Sequence, residues 1–238
     1  MAVKNSKTGL PNLDPRLELA ASMVEGSVCA DVGCDHGYVA INLVLSGKCR
    51  KVLASDIRPE PLNSARCNAA RFGAGEKIEF FLANGLSGIP VESCGVSDIV
   101  ICGMGGELIA SILDASAYVK TGINLVLQPM TRPEKLRQYL SHGFTVEDEK
   151  LCRCAGHVYC CIKAKYTGVV SEYTASELLL GRENIKKHSA LLSALISQEI
   201  ARTEKIIRGR TEGGLDCQQE RRLIEELRCL NEREMSKV

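Results

Sequence analysis

Ala30-Asp31-Val32-Gly33-Cys34-Asp35-His36-Gly37 is the stretch that decides the fold. An apolar run, Val28 to Val32, leads into it. A helical pattern from Gly37 to Leu45 leaves it and is closed by Gly47. A second apolar run, Lys51 to Ala54, then ends at an acid, Asp56. Strand, tight turn, helix and an acid at the next strand's end make a site for a ribose-bearing ligand. The glycines let backbone approach the ligand, and the acid takes the ribose hydroxyls.

The same alternation continues outward. Asp14-Pro15 reads as an N-cap with proline at the first helical position, opening an amphipathic helix to about Glu25. Pro59 opens a helix that Gly73 stops, and strands follow at Ile78 to Leu82 and Asp98 to Cys102. The second of these is apolar enough to be buried on both faces, as central parallel strands are. Gly103-Met104-Gly105-Gly106 leads into a helix through Leu113, then come a strand at Ile123 to Gln128 and a helix from Pro133 to near Gly143. Strands alternating with helices predict an open α/β sheet with helices on both faces. Phe144 to Cys154 and His157 to Tyr166, joined only by Ala155-Gly156, predict an antiparallel hairpin that closes it.

After Thr167 the pattern changes. Ile185, Leu192, Ile196 and Thr203 recur at helical spacing with Leu195 and Ile206 beside them, Glu212-Gly213-Gly214 marks a turn, and Leu223, Leu227 and Leu230 form a second stripe. Two narrow stripes predict an antiparallel helical hairpin, a coiled-coil-like arm. The organisation expected is a ligand-binding domain over residues 1–167 and an arm over 168–238.

Bulk properties narrow the class. At 238 residues there is room for one ordinary domain and an appendage. A net charge of +1 gives no global basic field, so nucleic-acid binding would need a local patch. The polar start, Met1 to Asn12, does not read as a signal peptide, and no apolar run is long enough to span a bilayer. The twelve cysteines then read as free thiols of a cytoplasmic chain. Cys152, Cys154, Cys160 and Cys161 lack paired knuckle spacing and would split between the two faces of a hairpin, so no metal is expected.

The loop also discriminates between ribose ligands. Asp35 stands where a dinucleotide fingerprint has its second glycine, and a carboxylate there would repel a pyrophosphate. The spacing from Asp31 to Asp56 is also longer than that fingerprint expects. Both points favour cationic S-adenosylmethionine over NAD.

Taken with Leu13-Asp14-Pro15-Arg16-Leu17, Asn84-Gly85-Leu86, Gly103-Met104-Gly105-Gly106 and Leu127-Gln128-Pro129, the loop through Tyr38 resembles that of the bacterial tRNA (adenine-22-N1)-methyltransferase family. The likeness runs in order over about residues 10 to 165, and the helical hairpin matches that family's coiled-coil arm. It implies a Rossmann-like, seven-stranded class I methyltransferase sheet, S-adenosylmethionine as cofactor and tRNA as partner. One position departs: this chain has Met130 where better known members have asparagine after Gln-Pro.

On that reading Asp31 orders the loop and lies near the methionine amino group, with a turn cap as the plainer alternative. Asp56 takes the ribose hydroxyls, at about 1.5–3 kcal/mol for each hydrogen bond to a charged acceptor. Gly33, Gly103 and the pair Asn84-Gly85 complete the cofactor site, with the Asn84 amide meeting the adenine amino group. The resemblance places Asp35, His36 and Tyr38 at the mouth, facing cofactor and target base, as the catalytic candidates. Adenine N1 carries a lone pair when neutral, so positioning rather than a base supplies most of the rate. Asp35 would stabilise the cationic product, while His36 either takes part or merely holds the loop. Met104, Gly105 and Gly106 leave room for a planar base that Gln128 and Pro129 would help to wall. On the arm, Arg202 and Lys205 are candidates for tRNA phosphates, with an arm-mediated dimer or a monomer both open. The competing functions are a methyltransferase for another RNA or a small molecule, and a non-catalytic S-adenosylmethionine- or RNA-binding module.

Overall fold

The computed structural model describes residues 9–236. The polar start noted above lies partly, and the last two residues wholly, outside the described residues. Strand β1 (Val28–Val32) is buried along its whole length, as a strand covered on both faces must be. It pairs in parallel with β2 (Lys51–Asp56) on one side and β4 (Asp98–Gly105) on the other. With β3 (Ile78–Leu82), β5 (Asn124–Thr131), β6 (His142–Cys154) and β7 (His157–Val170) the sheet order is β3-β2-β1-β4-β5-β7-β6. The seven-stranded sheet expected from sequence is therefore present. Its first five strands run parallel, and β7 is antiparallel to both β5 and β6.

Alternate strand residues feed two cores. Cys29, Val52, Ala54, Val100 and Val126 face α1 (Pro15–Met23), α2 (Tyr38–Leu45) and α3 (Pro59–Arg71). Ala30, Val32, Leu53, Ile99 and Ile101 face α4 (Gly106–Asp114) and α5 (Pro133–Leu140). Among the described residues no helix is long and apolar enough to cross a membrane.

Several boundaries differ from the sequence reading for local reasons. Helix α1 starts where predicted, because Asp14 accepts from Arg16 N at 2.9 Å and Leu17 N at 3.3 Å. It stops at Met23, since Val24 turns extended and Glu25 N then donates to the buried Asp98 carboxylate at 3.2 Å. Strand β4 continues past Cys102 to Gly105 through two register shifts against β5. The β6–β7 turn is tight because Ala155 and Gly156 both take positive φ, 47° and 83°.

The arm corrects one expectation. Ile185 and Leu192 share a spacing but not a helix. Two short helices, α6 (Ala175–Leu180) and α7 (Arg182–Lys186), precede α8 (Leu192–Glu212) and α9 (Gln218–Met235). Gly181 separates the first two at φ 90°, and a Cβ there would lie 2.2 Å from Glu149 Oε2. Helices α8 and α9 form the hairpin, with Leu192, Leu195, Ile196 and Leu227 packed on Val158 of β7. Ile206 is largely exposed, so the stripe ends before it.

One ion pair anchors the arm. Arg137 of α5 and Glu149 of β6 meet at 2.7 Å with both side chains almost wholly buried. Arg137 Nη1 also donates to the carbonyls of Leu178 and Leu179 at 2.8 and 3.0 Å, and Glu149 Oε2 accepts from Glu183 N at 3.1 Å. Breaking such a pair leaves a buried charge uncompensated, which costs about 3–5 kcal/mol, whereas an apolar replacement of both partners costs far less. Urea unfolding of Arg137→Leu is therefore expected to show a loss in that range, with the Arg137→Leu/Glu149→Leu double variant less destabilised than the sum of the single changes. Strict additivity would show that the pair does not carry the anchor.

Candidate active site

The carboxyl ends of β1, β2 and β4 open into a cavity of about 570 Å³. Its floor is built by a turn the backbone makes immediately after β1. Gly33 takes φ 73°, and Gly33 N and Cys34 N both donate to the Ser55 carbonyl of β2 at 2.8 Å. A Cβ at Gly33 would stand 2.0 Å from Met104 Cε and displace that flexible side chain, and the positive φ itself favours glycine here. Gly37, at φ 73°, then starts α2, and a side chain there would run into Ala65 of α3.

The two acids at the strand ends differ in their surroundings. Asp56 is buried but well partnered: Asp35 N donates to its Oδ2 at 3.2 Å and Arg58 N to its Oδ1 at 3.0 Å. Asp31 is 3 % exposed, and its Oδ2 has no hydrogen-bond partner among the described residues. Burial pushes the Asp31 carboxyl up to about 7, the Asp56 charge adds to this, and a hydrogen bond from the Ala40 N–H opposes it. Such a carboxylate is short of one cationic or donor partner.

Asp35 occupies the left-handed region at φ 48°, a conformation that costs a non-glycine residue about 1–3 kcal/mol and clusters at functional sites. Its side chain is 61 % exposed at the mouth. His36 sits beside it, with Nε2 3.7 Å from Asp35 Oδ2 and Nδ1 2.9 Å from Ser64 Oγ of α3. Asn68 Nδ2 donates to the His36 carbonyl at 3.0 Å, so the loop is tied to α3 at two points. Tyr38 lies next in line, its ring centroid 6.0 Å from that of His36.

Of the residues singled out in the sequence, Asp31, Gly33, Asp35, His36, Tyr38, Asp56, Asn84, Gly85, Gly103 and Met104 line this one cavity. The others lie elsewhere. Gln128 is fully buried behind the wall, where its Oε1 accepts from Gly103 N at 3.2 Å and its Nε2 donates to the Pro129 carbonyl at 3.0 Å. It holds the irregular C-terminal end of β4, where the register shifts, rather than walling the cavity. Gly106 packs against the Arg132 carbonyl, with no room for a Cβ, and Gly105 precedes it in the strand. Pro129, Arg202 and Lys205 line a second cavity on the arm side.

Sequence reasoning missed other members. Ile57 and Leu108 expose 61 % and 54 % of their surface at the first cavity, where they offer a flat apolar face. Asp14 and Arg16 also line it. Arg16 Nη2 pairs with Asp14 Oδ2 at 2.6 Å, Nη1 contacts the Met130 sulfur, and the guanidinium lies 5.3 Å from the Tyr159 ring centroid. The capping role of Asp14 was legible, but its grip on a cavity-facing arginine was not.

The site thus presents a buried carboxylate short of a cation, a partnered acid at the β2 end suited to hydroxyl donors, a glycine floor and an apolar flank. These groups fit a cationic, ribose-bearing cofactor. Comparison with known proteins agrees. A family profile for the methyltransferase domain matches residues 13–162. The tRNA (adenine(22)-N(1))-methyltransferase of Bacillus subtilis is 30% identical over 223 residues, 90% of this chain and 92% of that one. The chain belongs to the tRNA (adenine-22-N1)-methyltransferase family. Sp1610 from Streptococcus pneumoniae, solved in complex with S-adenosyl-L-methionine, superposes with a TM-score of 0.80 at 31% identity, covering 92% of this chain and 100% of that one. TrmK from M. capricolum, solved with S-adenosyl-homocysteine, superposes at 0.77 with 25% identity over 92% and 98%. These likenesses extend through the arm.

Within this family member the glycines after β4 are not equivalent. Gly106→Ala puts a Cβ 2.2 Å from a backbone oxygen and is expected to lower stability by about 1–3 kcal/mol, read from the urea midpoint. Gly105→Ala meets only the Thr131 hydroxyl at 3.2 Å and is expected to shift the midpoint less. Equal losses would place the constraint outside this contact.

Proposed function

We propose that this chain transfers a methyl group from S-adenosylmethionine to N1 of adenine 22 in tRNA. The observation that carries the reading is the unpartnered Oδ2 of Asp31 beside the ribose-ready Asp56, at an open mouth lined by Asp35, His36 and Tyr38, in a chain of this family. When bound, S-adenosylmethionine supplies an electrophilic methyl group on a sulfonium. Asp31 would receive the cofactor's amino group, Asp56 the ribose hydroxyls, and Ile57 with Leu108 the adenine faces. Asn84 would meet the adenine edge, with Gly85 and Gly103 leaving it space.

The target base needs no deprotonation, because N1 of neutral adenine already holds the attacking lone pair. The residues at the mouth therefore act by holding that nitrogen in line with the methyl group and excluding water. Asp35, half-free at the rim and fixed through its own N–H to Asp56, is placed to stabilise the positive charge that develops on the base. His36 is bound to Ser64 and Asp35, which supports a positioning role for it. A base inside folded tRNA must be turned out of its stack to reach this depth.

We read the arm as a second unit. The 167/168 division falls inside β7, which runs to Val170, so the arm begins structurally after that strand. We also assign the chain to the cytoplasm, and we leave it as a monomer or an arm-mediated dimer, to be decided by sedimentation.

The direct test is methyl transfer from labelled S-adenosylmethionine to unmodified tRNA, with the product nucleoside identified by mass spectrometry. 1-Methyladenosine is expected with adenine at position 22 and absent with guanine there; cofactor binding without transfer to any tRNA overturns the reading. Asp56→Ala is expected to weaken cofactor binding by at least about 2 kcal/mol, roughly thirtyfold, in calorimetric titration.

The Asp31 carboxyl gives a pH dependence with a definite sign. Its value in the folded chain, about 7, lies above the ordinary 3.8, so the free protein holds a proton that the unfolded chain has lost. This site's contribution to stability therefore falls as pH rises through that window. Cofactor binding runs the other way, because only the ionised form pairs with an ammonium group. Affinity is expected to rise with pH and level off above about 7, and Asp31→Asn is expected to flatten the profile. An unchanged slope in that variant would move the amino group away from Asp31.

A further inference from the structure

The second cavity, also about 570 Å³, lies where the end of β5, the β6–β7 hairpin and α8 meet, and the reading above makes no use of it. Met130, Tyr159 and Leu195 give it an apolar interior, and His157 and Lys205 stand exposed at its rim. Arg202 is there too, but its charge is taken up by the buried Glu199 at 3.3 Å and by Glu134 at 3.7 Å. Lys205 has no ion pair among the described residues. The two cavities are neighbours. Arg16 lines the first, while its guanidinium contacts the Met130 sulfur and covers the Tyr159 ring, both of which line the second. A wall one side chain thick separates them, its guanidinium held by the Asp14 carboxylate at 2.6 Å.

We propose that the second cavity seats the nucleotide adjoining the methylated adenine, with its base on Tyr159. This inference rests on the function proposed above and identifies how that site takes its polymeric substrate. Turning the target base out of the stack strips its neighbour of a stacking face. An aromatic ring next to the entrance restores that face, and aromatic side chains accept any base because every base has a π-face. Single-stranded RNA is commonly held in this way, by splayed bases on aromatic rings and arginine planes. The Arg16 guanidinium lies 5.3 Å from the Tyr159 ring centroid and holds the ring from one side. Lys205 at the rim suits a phosphate, and continuity with the first cavity suits a nucleotide covalently joined to the one that enters there.

The test couples a protein change to an RNA change. Full-length protein is titrated with tRNA carrying an abasic site at one neighbour of adenine 22 or at the other. For the wild type, one of the two abasic tRNAs is expected to bind about tenfold more weakly than intact tRNA, about 1.4 kcal/mol. Tyr159→Ala is expected to bind intact tRNA about tenfold more weakly and to show no further loss with that abasic tRNA. Tyr159→Phe, which keeps the ring, is expected to restore both values. S-adenosylmethionine affinity, measured in parallel, is expected to be unchanged in each. If Tyr159→Ala loses cofactor binding and so has not folded, Tyr159→Leu takes its place as an apolar filler without an aromatic face. Wild-type affinity in the variant, or an equal abasic penalty in both proteins, overturns the inference while leaving the methylation reading intact. Failure of the wild type to methylate any tRNA overturns that earlier reading instead.

Discussion

The parallel register of β1 between β2 and β4 is the constraint on which the rest of the structure depends. Val32 lies opposite Ser55 on one side and Ile101 on the other, so three strands run out together at one edge of the sheet. The Ser55 carbonyl then collects two consecutive N–H groups, from Gly33 and Cys34, and Asp56 collects the Asp35 N–H. A single strand end in β2 thereby fixes the course of the whole loop after β1. A slip of one residue would carry Asp31 to the opposite face and scatter the acids among the helices.

That arrangement has an electrostatic cost which the fold tolerates. Some buried polar side chains here are satisfied locally: Gln128 by Gly103 and Pro129, and Arg137 through Nε and Nη1 by Glu149 and two carbonyls. Asp31 departs from that pattern at the bottom of the cavity, next to a second carboxylate. An acid oxygen left short of a partner at the bottom of an open cavity, unlike the unpartnered Asp98 Oδ2 outside it, marks a place where stability has been given up for binding.

What the sequence disclosed was whatever is encoded locally. Continuous apolar runs located the buried strands, and the acids that end them followed at once, because the side-chain period of a strand is fixed. The loop glycines were readable for the same reason. Readings that needed a third dimension failed in a consistent way. Gln128 looks like a wall residue until the irregular end of β4 closes over it. Gly106 looks like space for a base until Arg132 is seen to occupy that space. Ile185 and Leu192 stand seven residues apart on a helical count, yet Gly181 and His188, both at positive φ, break the chain around α7. The second cavity lay beyond reach altogether, since its walls come from β5, a hairpin and α8, which meet only after the arm has docked.

The docking of that arm has a mechanical corollary. Its root is held by a fully buried ion pair and a patch of leucines on Val158, not by a flexible tether. Helix α8 has 21 residues, which at about 1.5 Å per residue spans roughly 30 Å. The sheet and the arm are thus joined at a fixed root, from which a helix of set length leaves. A partner that reached from the cavity to the arm would have to match that fixed length. Selection among folded molecules of similar local sequence then becomes a matter of shape.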